Sequence, residues 1–293
     1  MSAKDKKYRF LLIPPFRIPE SAIPKKVRET EADMPTTNYP PLKWNWQKVK
    51  PLLEDVDWEL HEGALAPHGD WPVENREEMC LVAAARLPIV RKACESGKYN
   101  GIILFGGGEP GFLESREISR KYNVVVMSNA FSQMHMASML GNKFSVIDLA
   151  ESHNMHYYNL VVQHHFADRC ASIRNINYPL IRPGRTGDRI IWKEREKAAK
   201  GEKSQAVEDA VKEAVAAIEE DGAEVIICGC SGTFWLQPYL QERLNEMGWE
   251  IPVLEGFSCA ITLAKTFVDL GVNVSGLSFP GDFPKQWRRK KVF

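Results

Sequence analysis

Residues 101–112, GIILFGGGEPGF, begin as a short apolar run, break into four glycines within six residues (Gly106, Gly107, Gly108 and Gly111), and lead into a helical pattern. A buried strand that runs into a tight turn and then a helix is the repeating unit of an α/β chain with a parallel sheet. Residues 225–236, VIICGCSGTFWL, can be laid over that stretch: apolar strand, small-residue turn, helix. Each copy is followed by a further strand, a further helix and a Leu-Gly pair, Leu140-Gly141 in one and Leu270-Gly271 in the other. The echo predicts two similar units facing each other across a cleft. In its register Gly106 is the counterpart of Cys230, and the carboxyl ends of such strands are where open α/β sheets hold ligands.

Working outward, strands are predicted at Tyr8–Ile13, Trp58–Glu62, Gly101–Phe105, Val124–Ser128, Phe144–Asp148, Cys170–Arg174, Glu224–Cys228 and Pro252–Glu255. Helical patterns run over about 75–97, 112–121, 130–140, 151–166, 203–220, 235–247 and 258–270. The fold class is α/β: two pseudo-symmetric lobes with mainly parallel sheets flanked by helices, and the active site in the cleft between lobes. Residues 1–128 with 257–293 are expected to build the first lobe and 129–256 the second. Two segments lack a regular pattern: 16–57, with many prolines, Trp44 and Trp46, and 178–201. Both read as long connections, which are often lids or binding loops.

Charge and composition exclude several classes. Lys+Arg 38 balance Asp+Glu 38, so affinity built on neutralising nucleic-acid phosphates is not expected. No apolar run approaches the roughly 20 residues of a membrane span. The first apolar stretch stops at Pro14-Pro15 after a charged start, so no signal peptide is expected and the protein reads as cytoplasmic. The six cysteines show neither a CxxC pair nor Cys/His zinc spacing, so they read as thiols and no metal site is expected.

The two turns carry the chemistry. A cysteine just after a buried strand and just before a helix lies in the field of the helix N-terminus, which favours thiolate. Cys228 and Cys230 both meet that description, and position relative to the turn favours Cys230; an inert buried thiol is the bland alternative. Ser231, Gly232 and Thr233 let backbone N–H groups approach a carboxylate or enolate oxygen. Gly106, Gly107 and Gly108 form an anion-binding turn of the same kind, without the Gly-Lys-Ser/Thr of a nucleotide loop. Arg17, just after Pro15, can pair a carboxylate bidentately. His153, His156, His164 and His165 read as a solvated helix face, and His135 as packed between helices.

These stretches resemble the aspartate/glutamate/hydantoin racemase superfamily, most closely its hydantoin racemase branch. The likeness lies in FGGGEPGFLESRE (105–117), MHMASMLGNKFSVI (134–147), RCASIR (169–174), CGCSGT (228–233) and IPVLEGFSCA (251–260). It implies a cofactor-free enzyme acting between two lobes, in which two facing cysteines remove and return the proton α to a carbonyl. Here the second family cysteine falls on Cys230 and the first on Gly106, which has no side chain to move a proton. The first-strand motif appears as Pro14-Pro15-Phe16-Arg17, and the segment before the first-lobe helix as Ser128-Asn129-Ala130-Phe131. A single cysteine opposite a glycine, with a double-Pro first strand, is similar to the arylmalonate decarboxylases of that superfamily.

The resemblance implies an enzyme that forms an enolate-like anion and protonates it with Cys230, as a decarboxylase, isomerase or lyase. The alternatives are a racemase of a hydantoin or amino acid with a non-cysteine second base, a hydrolase with Cys230 as nucleophile, and a binder without catalysis. Glu109 is the nearest candidate second base, although a structural carboxylate suits its place in the loop. Substrate contacts are expected from Pro15, Arg17, Gly106, Gly107, Gly108, Glu109, Ser128, Asn129, Ser231, Gly232 and Thr233. The partner expected is a small-molecule carboxylate or cyclic amide, with no nucleic acid, membrane, metal or cofactor. A homo-oligomer is compatible with the neutral charge.

Overall fold

Eight short strands form two parallel four-stranded sheets with the same internal order. The computed structural model describes residues 6–17, 46–64, 72–180 and 189–281, with 286, 288 and 289. In the first sheet β1 (Tyr8–Ile13), β2 (Val56–Leu60), β3 (Gly101–Leu104) and β4 (Val125–Ser128) lie in the order β2-β1-β3-β4. In the second, β5 (Phe144–Asp148), β6 (Cys170–Asn175), β7 (Val225–Cys228) and β8 (Val253–Leu254) lie in the order β6-β5-β7-β8. Numbered from the first strand of each, both sheets read 2-1-3-4, which is the echo of 101–112 and 225–236 realised in three dimensions. The order in which the parallel strands are added along the sheet reverses between β1 and β3 and again between β5 and β7. Those are the two switch points at whose carboxyl ends ligands bind in open sheets.

The strands form where continuous β-branched and leucine runs can be covered on both faces. Every residue of β3, β4, β5 and β7 is buried, whereas the edge strand β6 is half-exposed throughout. Helices α2 (Arg76–Glu95), α3 (Phe112–Arg120), α4 (Asn129–Leu140), α5 (Glu151–Gln163), α7 (Gln205–Glu219), α8 (Gln237–Glu246) and α9 (Gly256–Leu270) match the helical patterns. Their ends have local causes. Asn75 and Glu78 close a capping box at the start of α2, and Glu255 accepts from the N–H groups of Phe257 and Ser258 at the start of α9. Helix α9 packs against β3, β4, α4 and a short α1 (Trp46–Leu53).

Three details differ from the sequence reading. β2 covers Val56–Leu60 rather than Trp58–Glu62, because pairing with β1 sets Tyr8 against Val56. The two segments read as connections contain α1 and α6 (Ile191–Ala199). Helix α6 is dominated by charge, so its apolar signal is thin; what holds it is tertiary. Its Glu194 carboxylate accepts from Ser204 Oγ and the N–H groups of Gln205 and Ala206, capping α7 from outside. Residues 18–45, including Trp44, and 181–188 lie outside the described residues.

Candidate active site

At the first switch point a fully buried arginine sets the geometry. Arg86 on α2 donates to the carbonyls of Ile13 and Phe105 through one nitrogen, to Pro14 through Nε at 3.2 Å, and to Pro110 at 3.1 Å. It thereby ties the end of β1 to both ends of the glycine turn, and four carbonyl dipoles stand in for the water its guanidinium gives up. Gly106 has φ +114°, a conformation open to glycine, and a Cβ there would sit 3.2 Å from the Pro15 ring. The N–H groups of Gly106, Gly107 and Gly108 are not taken up by other backbone carbonyls among the described residues.

Behind that turn Glu109 is committed. Its side chain is buried and accepts from the Ser128 hydroxyl, from Phe131 N–H at 2.5 Å and from His164 Nε2 at 2.8 Å. Glu109 adopts φ +56°, a left-handed conformation uncommon outside glycine, and these three bonds repay it. His164 is therefore no part of a solvated face. Arg17 pairs Glu62 at 3.7 Å with both side chains well exposed. The Asn129 carboxamide is wholly buried, and neither its oxygen nor its nitrogen has a hydrogen-bond partner among the described residues.

The second switch point carries the thiol. Cys230 follows β7 and caps a 3-10 turn over Ser231–Leu236, where Gly232 N–H points at Cys230 Sγ from 3.4 Å. Thr233 closes that turn, its hydroxyl and N–H both donating to the Cys230 carbonyl at 2.7 and 2.8 Å. Burial separates the two cysteines that sequence spacing left equivalent. Cys228 is fully enclosed and its thiol is pushed far up by burial, whereas Cys230 is only half-buried. From below, Tyr157 on α5 donates to the Gly229 carbonyl at 3.0 Å, and Gln133 on α4 to the Cys228 carbonyl at 2.7 Å.

The two turns touch. A Cβ on Gly107 would lie 2.5 Å from the Gly229 carbonyl oxygen and 2.9 Å from Cys230 Cα, so glycine alone allows this approach. Gly106, Gly107, Gly108, Cys230 and Ser231 are thus brought to one place from distant parts of the chain. Two neighbours of Cys230 carried no sequence signal strong enough to select them. Asp148, at the end of β5, accepts Cys230 N–H at 2.8 Å, and His153 on α5 is buried with Nδ1 3.8 Å from the same carboxylate oxygen. The expected solvated histidine face is corrected here too: α5 turns His153 inward over the β5 end. The His153–His156 spacing marked a shared helix face but not which way it faced.

Among the described residues no group of three or more His, Cys, Asp or Glu is arranged to hold a metal ion, and no helix is long and apolar enough to cross a membrane.

Comparison with known proteins bears on the family and the fold. Residues 73–264 match the Asp/Glu/Hydantoin racemase family. A hydantoin racemase from Pseudomonas sp. (strain NS671) is 28% identical over 194 residues, 65% of this chain and 68% of that protein. Among solved structures, allantoin racemase from Klebsiella pneumoniae superposes with a TM-score of 0.67 at 21% identity, covering 97% of this chain and 96% of that one. A Gly-to-Cys mutant of arylmalonate decarboxylase shares the fold at a TM-score of 0.50 and 13% identity, with 90% of this chain and 94% of that one covered.

Proposed function

This chain belongs to the Asp/Glu/hydantoin racemase family, and from that premise we propose that it forms an enolate-like anion α to a carbonyl or carboxylate and protonates it from one face with Cys230. The carrying observation is the asymmetry of the site. A thiol stands on one side, and on the other Gly106 offers no side chain while Glu109, the carboxyl of the glycine loop, is already bound by three donors.

The chemistry follows from what each group can do. Loss of CO2, or movement of a bond within the substrate, leaves an electron pair on carbon that delocalises onto oxygen. The N–H groups of Gly106, Gly107 and Gly108, which no backbone carbonyl among the described residues takes up, suit that oxygen, because preorganised amides stabilise developing charge without reorganising. Cys230 then delivers its proton to the carbon from the β7 side. Decarboxylation, isomerisation and lyase reactions each need one such donor, and no cofactor enters the scheme. The substrate class is a small carboxylate or cyclic amide.

Kinship with a hydantoin racemase supports a second reading, racemisation with a base other than cysteine. Proton NMR in D2O separates the two, using single enantiomers of 5-substituted hydantoins and α-aryl malonates with the native protein and Cys230→Ala. CO2 release with deuterium entering on one face, lost in the variant, is expected. Deuteration with loss of optical purity would favour the racemase, and full turnover by Cys230→Ala would remove the thiol from the mechanism.

A further inference from the structure

A run of consecutive glycines holds no shape of its own, so the directions of the Gly106, Gly107 and Gly108 N–H groups are imposed from the two ends of the run. We propose that His164, acting through Glu109, is a positioning residue that sets those N–H groups from the second sheet. This deepens the enolate reading and rests on it.

The near end of the run belongs to the first sheet. The Phe105 N–H donates to the Ile13 carbonyl at 2.8 Å, and the Phe105 carbonyl accepts from the buried Arg86. The far end is Glu109, whose carboxylate is held by groups that all come later in the chain. Its Oε1 takes the Ser128 hydroxyl at the end of β4 and the Phe131 N–H in the first turn of α4. Its Oε2 has one partner among the described residues, His164 Nε2 at 2.8 Å, from 55 residues away. His164 stands at the C-terminal end of α5, which packs on β5 and β6 of the second sheet. One bond from that sheet therefore fixes the plane of the carboxylate, and with it the φ of +56° that Glu109 keeps.

The histidine is itself held in place. Its side chain is 4% exposed and that of Glu109 0%, so water is kept from the bond. The ring lies edge-on to Phe131 at 5.2 Å and to Phe112 at 6.0 Å. Its backbone N–H donates to the Leu160 carbonyl at 2.9 Å, and the chain turns away at His165 with φ +63°. Other candidate donors are engaged elsewhere. His135 Nδ1 faces the Phe131 carbonyl at 2.8 Å, and the Arg116 guanidinium lies over the rings of Phe131 and Phe279.

Without the imidazole, Oε2 is a buried acceptor with no partner, and the left-handed Glu109 backbone is where the strain can relax. A change of φ there turns the Gly108–Glu109 peptide, and the freely rotating glycines follow.

The test reads those N–H groups directly. Phe-Gly occurs only at Phe105-Gly106, and Gly-Gly only at Gly106-Gly107 and Gly107-Gly108. Nitrogen-15 glycine combined with carbonyl-carbon-13 phenylalanine or glycine therefore isolates the three turn amides in carbonyl-selected NMR spectra of the whole protein. In His164→Leu their signals should move, and in His164→Gln, whose amide nitrogen can reach Oε2, they should return toward the native positions. For whichever substrate the native protein deuterates, kcat should fall on the order of 100-fold in His164→Leu with KM little changed, and recover in His164→Gln. Native turn signals in a folded His164→Leu would overturn the proposal, because a merely structural histidine lowers the melting temperature and leaves the turn alone. Moved signals with an unchanged kcat would overturn it as well. Should His164→Leu fail to fold, His164→Asn, polar but too short to reach Oε2, takes its place with the same outcomes. Moved turn signals in a protein that deuterates no substrate would sink the enolate reading alone. Cys230-dependent deuteration with unmoved turn signals would sink this inference alone.

Discussion

Adding one methyl group at Gly107 should separate the two turns and silence the site. A Cβ there would lie 2.5 Å from the Gly229 carbonyl oxygen and 2.9 Å from Cys230 Cα, against ordinary contact beginning at 3.4 Å. The difference, 3.4 − 2.5 = 0.9 Å, is the movement needed, and both obstacles are backbone, so no side chain can swing aside. Overpacking of this kind costs about 1–3 kcal/mol. The shifted carbonyl is also the one that Tyr157 holds at 3.0 Å, and weakening that bond adds about 1 kcal/mol. At roughly 2–4 °C per kcal/mol for a chain of this general size, Gly107→Ala should melt about 4–16 °C lower. A displacement near 1 Å between reacting groups costs on the order of 100-fold in rate. Circular dichroism melting and Cys230-dependent deuteration measure the two effects. Gly222→Ala, at φ +76° with nothing within 4 Å, is the control: strain should lower its stability by about 1 kcal/mol and leave turnover alone. Native melting and native rate in Gly107→Ala would refute the contact between the turns, and with it the site.

Other outcomes follow from single groups. Arg86→Met should cost about 3–5 kcal/mol in urea unfolding, because the carbonyls of Ile13, Pro14, Phe105 and Pro110 lose their common donor inside the protein. Glu109→Ala should cost a similar amount, about 3–5 kcal/mol, by orphaning Ser128, Phe131 N–H and His164. Native stability with abolished exchange would instead make Glu109 the second base. For His153 the folded pKa of about 11 lies above the ordinary 6.5, so its contribution is complete below pH 6.5 and fades as pH rises through 11. The gap in unfolding free energy between native protein and His153→Gln should therefore shrink on going alkaline, and a constant gap would contradict the linkage.

Much of this was legible in one dimension because burial on both faces forces strands into unbroken apolar runs. GIIL and VIIC could hardly be other than central strands, and glycine turns after them had to end at sheet edges where chain and ligand meet. The helix over 205–219 announced itself by alanines and valines at three- and four-residue spacing, of which Ala206, Val207, Ala210, Val211, Ala214 and Ala217 form the buried face. Helix α6 stayed hidden because its stability comes from Glu194 capping another helix, a contact without local pattern.

The sequence by itself therefore determined the α/β class, the doubled order of elements, and the pairing of a glycine turn with a cysteine turn, all of which depend on local periodicity and backbone freedom. Only the tertiary structure decided which cysteine is reachable, that Glu109 is spent on holding its loop, and that Asp148 and His153 stand beside Cys230. Those depend on which way a buried side chain faces and on who meets it from 82 residues away. Helical spacing groups residues on a face, but the direction of that face is set by packing against the sheet, and that packing is a property of the whole chain.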